Sequence, residues 1–343
     1  LDEDMTEPAE NTRSHVGETI RWGVLGAGGI ATEFCTDLRY LPDHQVVAVG
    51  ARSPGTNTEF ADRFGIANRH DSYAALVADP DVDVVYVATP HPQHFDAAMM
   101  AIEAGKAVLV EKPFTMNATD SHLLADAARA RGTFLMEAMW TWFLPHIVQI
   151  REVVNSGRIG DIVTVTAEFG EQFGTDSPRA FVLEAGGGAL LDVGIYPVSF
   201  AAMLLGKPTD IIAAADLSDG GVDVTTSIIL RHSEGAHAVL NTTMLAGTRN
   251  GATITGSLGR IDVDPEFFRP TSFSIVDNAT GARERVEVPH VGGGLRHQAA
   301  EVGRCLRSGL TESPILPLAQ TISIMETIDE IARQIGLRYP PRR

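Results

Sequence analysis

The stretch Trp22-Gly-Val-Leu-Gly-Ala-Gly-Gly-Ile-Ala31 decides how the rest of the chain is read. Its first four residues are a short buried-type run. Gly26, Ala27, Gly28, Gly29, Ile30 and Ala31 then fit the pattern G-x-G-x-x-A, and the residues from Ile30 to Leu38 read as a helix. The first glycine allows a tight turn. The second lets a pyrophosphate approach the backbone at a helix N-terminus, where free N–H groups and a positive dipole end meet it. Glycine-rich turns are common, but one placed between a strand and a helix is specific.

The same alternation continues outward. Val46-Val-Ala-Val49, Val84-Val-Tyr-Val-Ala88, Val108-Leu-Val110 and Thr133-Phe-Leu-Met136 read as strands. Helical stretches near 58–64, 93–104 and 118–131 separate them. Continuous apolar runs mean strands buried on both faces, and strands alternating with helices mean a parallel sheet. The chain is therefore expected to be α/β, with a Rossmann dinucleotide-binding domain over residues 20–140. Residues 141–338 read as a second, α+β domain for substrate binding and assembly. It has a strand over 162–169, a helix from about Gly188 to Leu205, and strand-like runs near 211–217, 222–230, 236–243, 252–255, 260–263, 273–277 and 285–288. Glycine-bearing turns between these runs predict a large, mainly antiparallel open sheet. Helices near 295–308 and 318–335 close the chain. A second copy of the chain is the economical cover for such a sheet, which predicts a homodimer or homotetramer.

Composition removes other classes. A length of 343 residues suits two domains, and a net charge of −17 argues against binding nucleic acid or an anionic membrane surface. Two cysteines, Cys35 and Cys305, cannot make a disulfide framework, so a reducing cytoplasm is expected. No uninterrupted apolar run reaches about 18 residues, so no membrane span is expected, and no signal-peptide pattern opens the chain. Residues 1–19 carry six acidic side chains against Arg13 alone and read as a disordered acidic tail. Neither this tail nor the closing Tyr339-Pro-Pro-Arg-Arg343 carries a functional signal.

The second strand ends Val49-Gly-Ala-Arg-Ser53. An NAD site favours Asp or Glu here, to accept from the ribose 2′-hydroxyl. Arg52 and Ser53 instead suit a 2′-phosphate, so NADP is favoured over NAD. Thr89-Pro90-His91-Pro-Gln-His94 and Glu111-Lys112-Pro113 each follow a strand of the parallel sheet directly, at the carboxyl edge where open α/β sheets bind ligands. A residue before proline is held extended, which aims Lys112 into the crevice. Within Gly186-Gly-Gly-Ala-Leu-Leu-Asp-Val-Gly-Ile-Tyr-Pro197, Asp192 and Tyr196 stand four apart on a helix and share a face. With Lys112 they form a set able to move a proton while a hydride moves. A Lys⁺ about 4 Å away contributes up to roughly 4 kcal/mol at an effective dielectric near 20, enough to lower a tyrosine pKa by at most about two to three units. His91 and His94 have no third ligand at a metal-site spacing, so no metal is expected.

At this point the chain resembles a family. The glycine-rich loop, Glu111-Lys-Pro113 and Gly187-Gly-Ala-Leu-Leu-Asp192 ahead of Tyr196 look like the glucose–fructose oxidoreductase, inositol dehydrogenase and MocA (Gfo/Idh/MocA) family, over about residues 20–338. Tyr196, with Met136-Glu-Ala-Met-Trp-Thr141, resembles the dimeric dihydrodiol dehydrogenases and their NADP-dependent D-xylose dehydrogenase relatives. Those often carry Arg where this chain has Trp142, a departure that bears on substrate or subunit contact. The resemblance implies Tyr196 as the general acid/base, Lys112 as the residue that orients it and favours its phenolate, and Asp192 as a positioner of substrate or Lys112. It also implies that His91 and His94 line the nicotinamide side, that Trp140 walls the pocket, and that Arg179 reaches cofactor or substrate. The expected activity is NADP-dependent hydride transfer from a secondary alcohol of a cyclic vicinal diol (a trans-dihydrodiol) or an aldopyranose such as D-xylose. The alternatives are a keto-sugar or anhydro-sugar reductase and a non-catalytic NADP(H)-binding sensor.

Overall fold

In a computed structural model, residues 18–51, 54–174 and 178–342 are described. Most of the acidic tail, together with Arg52 and Ser53, lies outside them.

Six parallel strands form the first sheet: β1 (Ile20–Leu25), β2 (His44–Gly50), β3 (Asn68–His70), β4 (Val84–Val87), β5 (Ala107–Glu111) and β6 (Leu135–Ala138). Their spatial order is β3-β2-β1-β4-β5-β6, the doubly wound order of dinucleotide-binding sheets. Every residue of β4, β5 and β6 is buried, as their continuous apolar runs require. Helices α1 (Gly29–Leu38), α2 (Pro54–Phe64), α3 (Tyr73–Val77), α4 (His94–Glu103) and α5 (Ala118–Arg131) flank the sheet. Strand β6 begins two residues later than the sequence pattern suggests. Gly132 caps α5 in the left-handed region, and the Thr133 N–H closes onto the Ala128 carbonyl, so these residues complete the helix end. The polar edge strand β3 and the helix α6 (Pro145–Asn155) are not announced by the apolar pattern.

The second sheet has eight strands: β7 (Ile162–Gly170), β8 (Asp210–Leu217), β9 (Asp223–Arg231), β10 (His237–Thr243), β11 (Ala252–Gly256), β12 (Gly259–Val263), β13 (Phe273–Asp277) and β14 (Arg283–Val286). Their order is β14-β13-β12-β11-β7-β10-β9-β8. All pairings are antiparallel except β7 with β10, which run parallel at the centre. Alternation along β9 buries Thr226, Ile228 and Leu230 and leaves Ser227 and Ile229 outward. Ile212, Ile229 and Val239 lie directly opposite one another across β8, β9 and β10, and 38–54% of each is exposed.

The helix expected from Gly188 to Leu205 is composite. A π turn at Leu190–Gly194 precedes α7 (Ile195–Leu205). Pro197 has no N–H for the carbonyl four residues back and its ring crowds that carbonyl, and the wider turn before it takes up the misfit. One apolar segment does exceed the expected length. Leu183–Leu205 is long and apolar enough to cross a membrane by composition, but 78% of its apolar window is buried inside the protein. Its apolarity belongs to the core. After α8 (Arg296–Arg307), α9 (Leu318–Ile335) returns to the first sheet, where Leu318 and Ile322 join the apolar layer of Val85, Val87, Val108 and Val110.

Candidate active site

The site lies along the carboxyl edge of the first sheet, between it and the second. Gly26 has φ +98°, and a Cβ there would stand 2.6 Å from the Ala88 carbonyl oxygen, so only glycine fits the turn. Gly28 caps α1 with an extended backbone and no side-chain cap, and no acidic residue occupies the first turn. A Cβ on Gly28 or Gly29 would meet open space, the room a pyrophosphate needs above the helix N-terminus. Ile30 lines the cleft, while Ala31 is buried in the core. Thr89, after β4, also lines the cleft, and its buried hydroxyl has no hydrogen-bond partner among the described residues. These features fit a bound dinucleotide. Pro90 caps the short 3₁₀ turn His91–Gln93 that leads into α4.

The reactive side chains converge beside this loop. Lys112 Nζ donates to the Asp192 carbonyl oxygen at 2.8 Å and to Asp192 Oδ1 at 3.1 Å. It lies 5.2 Å from the centre of the Tyr196 ring. Trp140 Nε1 donates to the Tyr196 hydroxyl at 3.0 Å. The Lys112–Pro113 bond is cis. Burial works against the Lys112 charge, but the neighbouring Tyr196, Asp192 and Glu111 outweigh it and raise its pKa. For Asp192, burial is outweighed by Lys112, His91 and Arg179, which lower its pKa. Tyr196 departs from expectation. Burial raises its pKa above the ordinary phenol value, and Lys112 and the Trp140 N–H only partly offset this. The ammonium sits over the ring face rather than on the oxygen, so it does not produce the net lowering that a direct contact would.

The two histidines differ from each other. His91 Nδ1 donates to the Gly186 carbonyl at 3.1 Å, and its Nε2 lies 4.0 Å from Asp192 Oδ1. His94 is fully buried, its two ring nitrogens each 2.8 Å from a carbonyl oxygen, of Pro113 and Thr89. Burial lowers its pKa to about 4, while the two carbonyls, which can only accept, work in the opposite direction. His94 lines the cleft and also ties the ends of β4 and β5 together. Glu111 accepts from Tyr86 at 2.5 Å, and burial pushes its pKa up to about 7. Arg179 is exposed at the rim of the cleft. Trp142 turns into the core, where its N–H donates to Ser199 Oγ at 2.7 Å.

The segment that carries Asp192 is held from several sides. Asp223 accepts from the Leu190 N–H at 2.8 Å, and the Tyr339 hydroxyl donates to the Gly187 carbonyl at 2.8 Å. Gly188, at φ +113°, has no room for a Cβ beside Asp223. The closing residues, read from sequence as without function, thus brace the segment that carries Asp192, and Arg342 stacks 3.5 Å over the Phe95 ring. Sequence reasoning also missed the aromatic wall. Phe169 and Phe268 stack at 3.9 Å and lean on Tyr196 at 5.4 Å. Glu171 and Arg269 line the cleft with them. Nothing in the sequence marks Phe268 and Arg269, which sit in a loop.

A family model described as an oxidoreductase family with an NAD-binding Rossmann fold matches residues 20–139, and one described as the GFO/IDH/MocA C-terminal domain matches residues 147–262. The chain belongs to the GFO/IDH/MocA oxidoreductase family. Its fold and relatives make it an NAD(P)-dependent dehydrogenase of that family. It is 40% identical over 332 residues to trans-1,2-dihydrobenzene-1,2-diol dehydrogenase of Xenopus laevis, covering 93% of this chain and 99% of the relative. It is 36% identical to the Homo sapiens enzyme of that name over 333 residues, covering 94% and 98%. A 3-ketoreductase from Actinomadura kijaniata, crystallised with NADP and TDP-benzene, superposes with a TM-score of 0.83 at 28% identity, covering 94% of this chain and 100% of that one. As a GFO/IDH/MocA member, the chain places Lys112, Asp192 and Tyr196 together at the sheet edge where its dinucleotide loop opens.

Proposed function

We propose that the protein is an NADP-dependent dehydrogenase that oxidises a secondary alcohol of a cyclic vicinal diol or an aldopyranose, with Tyr196 carrying the proton. The observation behind this reading is the buried Lys112–Asp192 pair against the Tyr196 ring, beside the dinucleotide loop. The relatives named as dihydrodiol dehydrogenases support the diol, and the ketoreductase crystallised with NADP supports the cofactor. A nicotinamide cofactor held by the Gly26–Ala31 loop would supply the hydride acceptor for the carbinol carbon. Tyr196 exchanges the proton of the substrate hydroxyl, its oxygen held by the Trp140 N–H. Asp192 keeps Lys112 charged and fixed. The stacked Phe169 and Phe268 give a cyclic substrate an apolar wall. Arg52 and Ser53, the residues after β2, are assigned to the 2′-phosphate, and His91 to the nicotinamide side.

With Tyr196 protonated at neutral pH, the site is also suited to donate a proton to a carbonyl. Reduction of a keto sugar is therefore the second reading. Residues 20–140 serve the nucleotide and residues 141–338 the substrate and assembly, in a cytoplasmic enzyme whose Cys35 and Cys305 stay buried and unpaired. The exposed row Ile212, Ile229 and Val239 is assigned to a subunit contact. Sedimentation should show an even multiple of 36.7 kDa, and Ile229→Lys should shift it toward monomer. A wild-type monomer at micromolar concentration would remove the assembly.

The decisive test of activity supplies NADP⁺ or NAD⁺ with trans-dihydrodiols, aldoses and inositols and follows reduced-nicotinamide absorbance. Turnover with NADP⁺ and a diol or aldose is expected. No turnover in either direction, with NADP(H) bound, would favour the sensor.

A further inference from the structure

The main chain around Lys112 is gripped by buried side chains on both faces of the first sheet. Glu111 Oε2 accepts from the Lys112 N–H at 3.2 Å. From the opposite face, Glu137 Oε1 accepts from the Phe114 N–H at 3.2 Å. His94 Nδ1 stands 2.8 Å from the Pro113 carbonyl between them. Glu111 has other work, since it binds Tyr86 and lines the cleft. Glu137 has none. It stands on β6 beside Val110, 1% exposed, and does not line the cleft. Its face of the sheet is otherwise an apolar layer of Val85, Val87, Val108, Leu124 and Leu135. A carboxyl in such surroundings is costly unless hydrogen-bonded. Among the described residues its Oε1 accepts from the Phe114 N–H, and the Thr321 hydroxyl lies beside the carboxyl. A group so expensive to bury, with its one backbone contact on the Phe114 N–H, makes sense if the place of that backbone matters.

We propose that Glu137, assisted by His94, is a positioning residue that holds the bend Lys112–Phe114 so that the Lys112 ammonium stays on Asp192 and over the Tyr196 ring. This rests on the role given to Lys112 above. The grip needs an acceptor, not a charge. Glu137→Gln keeps an oxygen for the Phe114 N–H, whereas Glu137→Leu fills the space and leaves that N–H unpaired.

The test compares Glu137→Leu, Glu137→Gln, Lys112→Met and the double variant Glu137→Leu/Lys112→Met in steady-state turnover with NADP⁺, with folding checked by circular dichroism. Glu137→Leu should lower kcat by about 10- to 100-fold, the order expected for an ångström-scale misplacement, with KM for NADP⁺ changed by less than about threefold. Glu137→Gln should stay within about threefold of wild type. The double variant should be no slower than Lys112→Met alone, because both act through one ammonium. If the Leu variant does not fold, Glu137→Met, of similar length and without a carboxyl oxygen for the Phe114 N–H, is read by the same double-variant comparison. A folded Glu137→Leu with wild-type kcat, a Gln variant as slow as the Leu variant, or losses that multiply in the double variant would overturn the inference. A Lys112→Met enzyme with full turnover would instead overturn the reading of Lys112 itself.

Discussion

The nucleotide end and the chemical end of the cleft are built from opposite materials. At the nucleotide end the protein contributes backbone and empty space. Gly26 cannot carry a side chain, and no atom of the described residues lies within 4 Å of where a Cβ on Gly28 or Gly29 would stand. At the chemical end it contributes charges taken out of water, with Lys112 on Asp192 and Tyr196 under Trp140. The glycine loop of the first is contained within ten consecutive residues. The second comes from the ends of β5 and β6, from the π turn and from the first turn of α7, and none of these groups has its property until the others arrive. A glycine loop is therefore a local decision, whereas a catalytic pKa is a tertiary one.

The comparison breaks most visibly if damage at one end spreads to the other. Tyr196→Phe keeps the ring against Phe169 and removes only the hydroxyl. Loss of a positioned acid/base should cost about 10²–10⁴ in kcat, while the dissociation constant for NADP⁺ changes little. A kcat within threefold of wild type would reassign the proton to His91 or water. Because burial raises the pKa of Tyr196, its neutral form dominates at pH 7. The rate of alcohol oxidation should then keep rising into the alkaline range, and a plateau reached near neutrality would contradict this.

The same contrast shows what could be read before any coordinates. The parallel sheet was legible because Val84–Val87 and Val108–Val110 are apolar without interruption. The short polar strand β3 was not, since an edge strand needs no apolar side chain. Lys112, Asp192 and Tyr196 could be proposed from their places after strands and on one helix. The sign of the Tyr196 shift could not, because it depends first on how deeply the hydroxyl is buried and then on where the ammonium meets the ring. Glu137 was invisible as a polar group inside a strand, and Phe268 as a loop residue that reaches the site only through the second sheet.

A smaller effect sharpens the nucleotide end. Arg52 and Ser53 are the discriminating residues assigned there from sequence. Arg52→Ala should raise KM for NADP⁺ about 10- to 150-fold, the equivalent of one charge-assisted phosphate contact at roughly 1.5–3 kcal/mol, with little change for NAD⁺. Equal effects on both cofactors would show that Arg52 meets a part they share. A wild-type preference for NAD⁺ would remove the 2′-phosphate reading altogether.

The smallest effect concerns the buried acid behind the chemical end. Burial raises the Glu137 pKa from 4.5 to about 7. The folded protein therefore holds this proton more tightly than the unfolded chain does. The associated stability is fully present below about pH 4.5 and is lost as pH rises through about 7. Glu137→Gln has no proton to lose. Relative to wild type it should gain stability as pH rises, by at most about 3 kcal/mol at pH 8 and less where the ionised carboxylate draws in water. Below about pH 4.5 the two proteins should converge apart from a constant offset. Urea unfolding of both at pH 4.5, 6 and 8 measures the difference directly. A gap independent of pH would mean that Glu137 titrates alike in both states, and the carboxylate would then be solvated rather than enclosed in the apolar layer of Val108 and Leu135.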